Sequence, residues 1–212
     1  MHLPPLLAAA GAAAGIAGHV TLARLCRGAT VHKGWCALAV ALLWSVAGWR
    51  TATGHLPWWW LPIPLTVAWF AVTLTVVDVK HRRLPNALTI SAYPAIAATT
   101  TLAATQSGWH VTESALTGAA ALALTYTAIH LISPEAMGAG DVKLAGSQGA
   151  VMGAVGWPAV IVGTTLAALL TLAIAATTSR KQRRRKAGVP HGPALLAATY
   201  VIATFPTIPA PG

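Results

Sequence analysis

The chain has 212 residues, of which 56% are hydrophobic and only 8% are charged, and its mean hydropathy is +0.64. A soluble domain carries about 25% charged residues, so this composition excludes a soluble globular protein and indicates an integral membrane protein. The formal net charge of +10 does not predict nucleic-acid binding, because the basic residues lie in short clusters between apolar runs. It favours a role in membrane topology and contact with anionic lipid headgroups.

Apolar runs that are long enough, or nearly long enough, to cross a bilayer recur along the whole chain. They predict membrane helices at about 4–22, 35–49, 58–77, 87–105, 115–132 and 191–208. A further apolar stretch extends from Val142 to Thr178, and we interpret it as two crossings that turn at the "GWP" of 156–158. The predicted fold is therefore an all-α, polytopic transmembrane bundle of about eight helices, or seven if 142–178 crosses once.

The distribution of Lys and Arg predicts the orientation of these helices, because loops on the inner side collect basic residues. Basic residues cluster at 24–33, 80–83 and 180–186, and two crossings within 142–178 place all three clusters on one side. This side is then cytoplasmic, and Arg50 is the one basic residue outside. We expect two domains: residues 1–57 form two helices without an assigned role, and residues 58–212 form the functional core.

Two aspartates stand out in a chain that has four acidic residues in total. Asp78 lies at the end of the third predicted helix and Asp141 at the start of the sixth, so the predicted topology puts both near the cytoplasmic boundary. Ionisable residues in membrane segments are costly when unpaired and indicate function. Three interpretations are open: a structural role in pairing or helix capping, a proton pathway through a transporter, and a carboxylate pair that hydrolyses peptide bonds.

The residues around the aspartates are compatible with hydrolysis. Two close carboxylates share one proton, so one serves as an acid and the other as a base, and no metal or cofactor is needed. Gly138 and Gly140 precede Asp141, and glycine permits positive φ and a close approach of another backbone. After Asp78, Pro85 is expected to end the preceding structure and Asn86 to cap the next helix.

Three segments together resemble a known family. "DVKHRRLPN" (78–86) and "GAGDVKL" (138–144) are similar to the paired signature of type IV prepilin peptidases, which are membrane aspartyl proteases of the GxGD class. "GVPHGPALLAATYV" (188–201) resembles the Pro-x-Gly-Pro segment of this family. The resemblance implies catalytic roles for Asp78 and Asp141, with Gly138, Gly140, Lys143, Pro85 and Asn86 as supporting positions. It implies a prepilin or pseudopilin substrate, cut at the cytoplasmic face of the bacterial inner membrane.

The chain departs from the larger members of that family in its first cytoplasmic loop. Those members carry a domain with two CxxC motifs that is associated with methylation of the new N-terminus, whereas the short loop here holds a lone Cys26. We therefore expect a peptidase without methyltransferase activity, cofactor or metal. The alternatives are a proton-coupled transporter that uses the two aspartates, and a non-catalytic assembly protein of a pilus or secretion system.

Overall fold

A computed structural model describes residues 2–24, 33–81, 85–135, 137–177 and 191–206. Within these ranges the chain forms eight α-helices. The helices are α1 Leu3–Arg24, α2 Lys33–Ala52, α3 Pro62–His81, α4 Asn86–Ser107, α5 His110–Ile132, α6 Ala139–Val155, α7 Trp157–Thr177 and α8 Gly192–Thr204. The prediction of an all-α transmembrane bundle is confirmed. Most of the three basic clusters lies outside the described residues.

Six of the helices in the described part of the chain, α1 to α5 and α7, are long and apolar enough to cross a membrane. The protein is therefore a multi-pass membrane protein. The remaining two helices are shorter, with 17 residues in α6 and 13 in α8. At a rise of 1.5 Å per residue they extend about 25 and 20 Å, less than the roughly 30 Å of a hydrocarbon core.

The long apolar stretch from 142 to 178 divides where the sequence predicts. Helix α6 ends at Val155, and α7 begins at Trp157. Between them Gly156 has a φ of 136°, which residues with a side chain rarely adopt. Its N–H donates to the carbonyl of Met152 at 3.1 Å. Pro158 then lies in the first turn of α7, where its missing N–H is not needed.

The third helix begins later than the apolar run predicts. The run starts near residue 58, but α3 starts at Pro62 and continues to His81. Proline lacks an N–H and has a helical φ, so it favours the first position of a helix. Helix α3 also continues past the predicted end near residue 77, so Asp78 lies inside its last turn.

Glycines let two pairs of helices pack at close range. A Cβ atom on Gly118 of α5 would stand 2.5 Å from the carbonyl oxygen of Gly149 and 2.7 Å from Cα of Gly153, both on α6. Gly15 brings α1 equally close to the backbone of α2, and a Cβ atom on Gly11 would stand 3.0 Å from it. Small residues at such positions allow the backbone contacts that hold membrane helices together. Helix α6, which carries Asp141, also packs against α4, α7 and α8 and so runs through the bundle centre.

The two N-terminal helices are joined to the rest of the bundle by side-chain hydrogen bonds. The indole of Trp69 on α3 donates to the carbonyl of Ala14 at 3.0 Å. The hydroxyl of Tyr200 on α8 donates to the carbonyl of Leu43 at 2.6 Å. Helices α1 and α2 therefore pack on the helices of the expected core, and the division at residue 57 stays a prediction.

Candidate functional site

The structure brings the two aspartates together at one end of the bundle. Asp78 lies in the last turn of α3 and is only 7% exposed, and Asp141 lies half-buried in the first turn of α6. The two side chains are close enough for the charge of Asp78 to influence the carboxyl group of Asp141. The end of one helix and the start of another thus supply two interacting acids, and their catalytic role stays a prediction.

Two backbone N–H groups lie close enough to the Asp141 carboxyl group to act on its charge. One belongs to Gly138, the residue that caps α6, and the other to Gly192 at the start of α8. Neither glycine uses the positive φ that its lack of a side chain permits, because Gly138 has a φ of −67° and Gly140 lies within the helix. A Cβ atom on Gly138 would stand 3.4 Å from Oδ2 of Asp141. Glycine therefore leaves this side of the carboxyl group uncovered.

A polar contact links the two predicted motifs. The ammonium of Lys143, two residues after Asp141, donates to Oδ1 of Asn86 at 2.9 Å. The expectation that Asn86 caps α4 is wrong, because Pro85 occupies the cap position and Asn86 is the first helical residue. Its side chain bonds Lys143 instead. The hydroxyl of Tyr93 adds a second link by donating to the carbonyl of Lys143 at 2.8 Å.

A second polar cluster lies beside Asp141 and joins three helices. The hydroxyl of Tyr126, buried on α5, lies 2.8 Å from Nε2 of His191, which directly precedes α8. The other ring nitrogen, Nδ1, lies 2.7 Å from the hydroxyl oxygen of Thr171 on α7. Burial lowers the pKa of His191. The charge of Asp141 also acts on Tyr126, so this cluster and the aspartate pair form one site.

His130 supports the segment that leads into this site. Its Nδ1 atom lies 2.7 Å from the carbonyl oxygen of Met137, the residue before Gly138. The end of α5 thereby holds the approach to Asp141 from the other side. This contact gives His130 a structural role.

Reasoning from the sequence missed the tyrosines, although their scarcity was a usable signal. The chain has three, and each hydroxyl bonds a different helix: Tyr93 bonds α6, Tyr126 bonds the start of α8, and Tyr200 bonds α2. A buried tyrosine hydroxyl needs a partner. In this bundle each of the three tyrosines therefore marks a contact between helices.

An apolar groove of about 580 Å³ opens between α2, α3 and α8, near the end of α3 that carries Asp78. Ala39 of α2 forms part of one wall, and Thr75 and Val76 of α3 lie within one turn of Asp78. Pro193 and Ala197 of α8 form the opposite side. Pro193 directly follows Gly192, so the groove begins where the backbone meets Asp141.

Comparisons with known proteins bear on this arrangement. The model of the type IV leader peptidase family matches residues 65–176, which is more than half of the chain and includes both aspartates. No curated protein and no solved structure matches the chain. The matched segment runs from α3 to α7 and ends before His191 and α8.

Proposed function

The chain belongs to the type IV leader peptidase family, and from this we propose that it is an aspartic endopeptidase which removes the leader peptide from type IV prepilins or pseudopilins. The observation that carries the proposal is the interaction between Asp78 and Asp141, which are 63 residues apart in the sequence and meet at one end of the bundle. A carboxylate pair of this kind can activate a water molecule for peptide hydrolysis.

The pair acts by sharing one proton. Two close, buried carboxyl groups do not both ionise, so one is a carboxylate and the other an acid. The carboxylate removes a proton from a water molecule, whose oxygen attacks the carbonyl carbon of the scissile peptide. The acid donates a hydrogen bond to the developing oxyanion, and a proton then passes to the leaving amine. The shared proton belongs to the pair rather than to Asp78 or Asp141 alone.

The apolar groove favours a substrate in which a membrane helix directly follows the scissile peptide bond. A prepilin has a short basic leader followed by an apolar helix, so its scissile bond lies where the chain enters the bilayer. The groove between α2, α3 and α8 extends along the membrane helices from Thr75 and Pro193, next to the aspartate pair. An apolar helix in this groove brings its leading peptide bond to Asp78 and Asp141.

We further propose that the aspartates face the cytoplasm in the bacterial inner membrane. Arg50, the basic residue expected outside, bonds the carbonyl of Thr204 at 3.4 Å and stacks on Phe205 at 4.5 Å, both at the end of α8. Asp141 meets the start of the same helix at Gly192. Arg50 and the aspartate pair therefore lie at opposite ends of α8, in agreement with the distribution of basic residues.

Co-expression with candidate prepilins tests the proposal. Leader removal is followed by the change in prepilin mass for the wild type, Asp78→Asn and Asp141→Asn, with Glu113→Gln as a matched control. Glu113 is exposed in the first turn of α5, and the control should cleave like the wild type. Each aspartate variant should show no detectable cleavage. Cleavage that survives both substitutions would exclude the carboxylate pair, and a non-catalytic assembly protein or a transporter would show none in any variant.

A further inference from the structure

His191 holds an unusual position, because its ring bonds two helices while its backbone begins a third. Its Nε2 atom lies 2.8 Å from the hydroxyl oxygen of Tyr126 on α5, and its Nδ1 atom lies 2.7 Å from that of Thr171 on α7. The residue precedes Gly192, the first residue of α8. Both ring nitrogens are therefore engaged at the point where α8 approaches the aspartate pair.

The partners of Thr171 decide which ring nitrogen carries the proton. The Thr171 hydroxyl lies 2.8 Å from the carbonyl oxygen of Ala167, which has no proton to give. The single hydroxyl proton of Thr171 therefore goes to Ala167, and towards His191 the same oxygen can only accept. Nδ1 must then carry a hydrogen, which leaves Nε2 of the neutral ring as an acceptor for the Tyr126 hydroxyl.

The opposite tautomer leaves a buried donor without an acceptor. If Nε2 carried the hydrogen, it would donate to Tyr126, and the hydroxyl proton of Tyr126 would have no acceptor among the described contacts. An unsatisfied buried donor is costly. In the first arrangement every donor has an acceptor: Tyr126 donates to His191, His191 donates to Thr171, and Thr171 donates to the carbonyl of Ala167. Burial also lowers the pKa of His191, which favours the neutral ring.

We propose that His191 is a positioning residue, held as the neutral Nδ1–H tautomer between Tyr126 and Thr171, which fixes the N–H of Gly192 against the carboxyl group of Asp141. The peptide unit between His191 and Gly192 carries this N–H group, and Gly192 has no side chain of its own to anchor it. The proposal rests on the function proposed above. It adds a residue beyond the segment that matches the family model.

In the described part of the chain, few titratable groups surround the imidazole ring of His191. Among the described neighbours, the titratable group in contact with the ring is Tyr126 of α5; Thr171 of α7 does not titrate, and Asp141 of α6 acts on Tyr126 and faces Gly192. A neutral, locked imidazole does not exchange protons with the substrate. His191 then contributes no titration of its own to the rate of cleavage near neutral pH.

The first test measures cleavage kinetics with a purified prepilin. Thr171→Val removes the acceptor without changing the shape of the side chain, and Tyr126→Phe removes the donor. Each should lower kcat about tenfold and leave KM nearly unchanged, as expected when one hydrogen bond that orders the site is lost. Thr164→Val is the matched control, because the Thr164 hydroxyl on the same helix bonds only its own backbone. It should retain wild-type kcat.

The second test reads the tautomer directly and needs no activity. Nitrogen NMR of the 15N-histidine-labelled wild type, with the His191 signals assigned by their loss in His191→Phe, should show a protonated Nδ1 and an unprotonated Nε2 at pH 7.5. A ring protonated at Nε2 would overturn the proposal. So would wild-type kcat in both Thr171→Val and Tyr126→Phe while Asp141→Asn abolishes cleavage, a result that leaves the proposed function intact.

Discussion

The ammonium of Lys143 on α6 donates a hydrogen bond to the side-chain oxygen of Asn86, the first residue of α4, across 2.9 Å. Asn86 follows Asp78 by eight residues, and Lys143 follows Asp141 by two. The bond therefore ties the segment after one aspartate to the helix that carries the other. Because the bond lies at the surface, it adds little to the stability of the fold, and its main effect is to align the two segments.

This contact predicts coupled effects on cleavage. Lys143→Met and Asn86→Ala should each lower the rate of leader removal, about three- to tenfold, because either change releases the same link. The double variant should be no slower than the slower single variant, since one bond cannot be broken twice. A double-mutant cycle on kcat/KM measures the coupling. Rates that multiply in the double variant would show that the two residues act independently.

The sequence predicts the helices of this protein well, because the length of an apolar run decides whether a segment can cross a bilayer. The break at Gly156 was also predictable, since glycine and proline interrupt helices through local chemistry. The role of Asn86 was not predictable. Its side-chain oxygen accepts a hydrogen bond from Lys143, which is 57 residues away, and local preferences carry no information on such a contact.

The functional site is predictable only in part for a similar reason. Asp78 and Asp141 stand out because carboxylates are rare here, and the resemblance to the peptidase family pairs them. Helices α5 and α7, by contrast, do not concentrate their polar residues on one face, so the sequence does not show which face turns inward. The meeting of Tyr126, Thr171 and His191 depends on that rotation and needs the structure.

Filling the apolar groove should weaken substrate binding. Ala197 is exposed and lines the groove, and phenylalanine in its place would occupy space that the substrate helix needs. Ala197→Phe should raise the KM for a full-length prepilin about tenfold and change kcat little, because the aspartate pair is untouched. Ala168→Phe, at an exposed alanine of α7 that does not line the groove, is the control. Equal kinetics in the two variants would show that the substrate helix lies elsewhere.

The glycine contact between α5 and α6 predicts a loss of stability from a single methyl group. A Cβ atom on Gly149 would lie 2.5 Å from the carbonyl oxygen of Gly118 and 2.8 Å from Cβ of Leu122, so the helices must separate. Overpacking of this kind costs about 1–3 kcal/mol. Gly149→Ala should therefore lower the Tm in detergent by about 2–10 °C. Thr117→Val, on the exposed face of α5, should shift it by less than about 1 °C.

Burial of His191 predicts how stability depends on pH. Because burial lowers the pKa of His191, the unfolded chain binds more protons than the folded protein once the pH falls below the ordinary histidine pKa of about 6.5. Stability is therefore complete above this pH and declines as the solution becomes more acidic. The wild type should lose more of its Tm between pH 7.5 and pH 5.5 than His191→Phe does, because phenylalanine cannot take up a proton.

The comparison uses the slope of Tm against pH, since His191→Phe also removes two hydrogen bonds and lowers Tm at every pH. The aspartate pair titrates in both proteins and cancels in the difference between their slopes. Thr171→Val keeps the imidazole and should keep a wild-type slope while losing some stability throughout. A wild-type slope no steeper than that of His191→Phe would mean that His191 takes up its proton inside the folded protein as readily as in the unfolded chain. The ring would then be an accessible base, and the neutral, locked arrangement with Tyr126 and Thr171 would not hold.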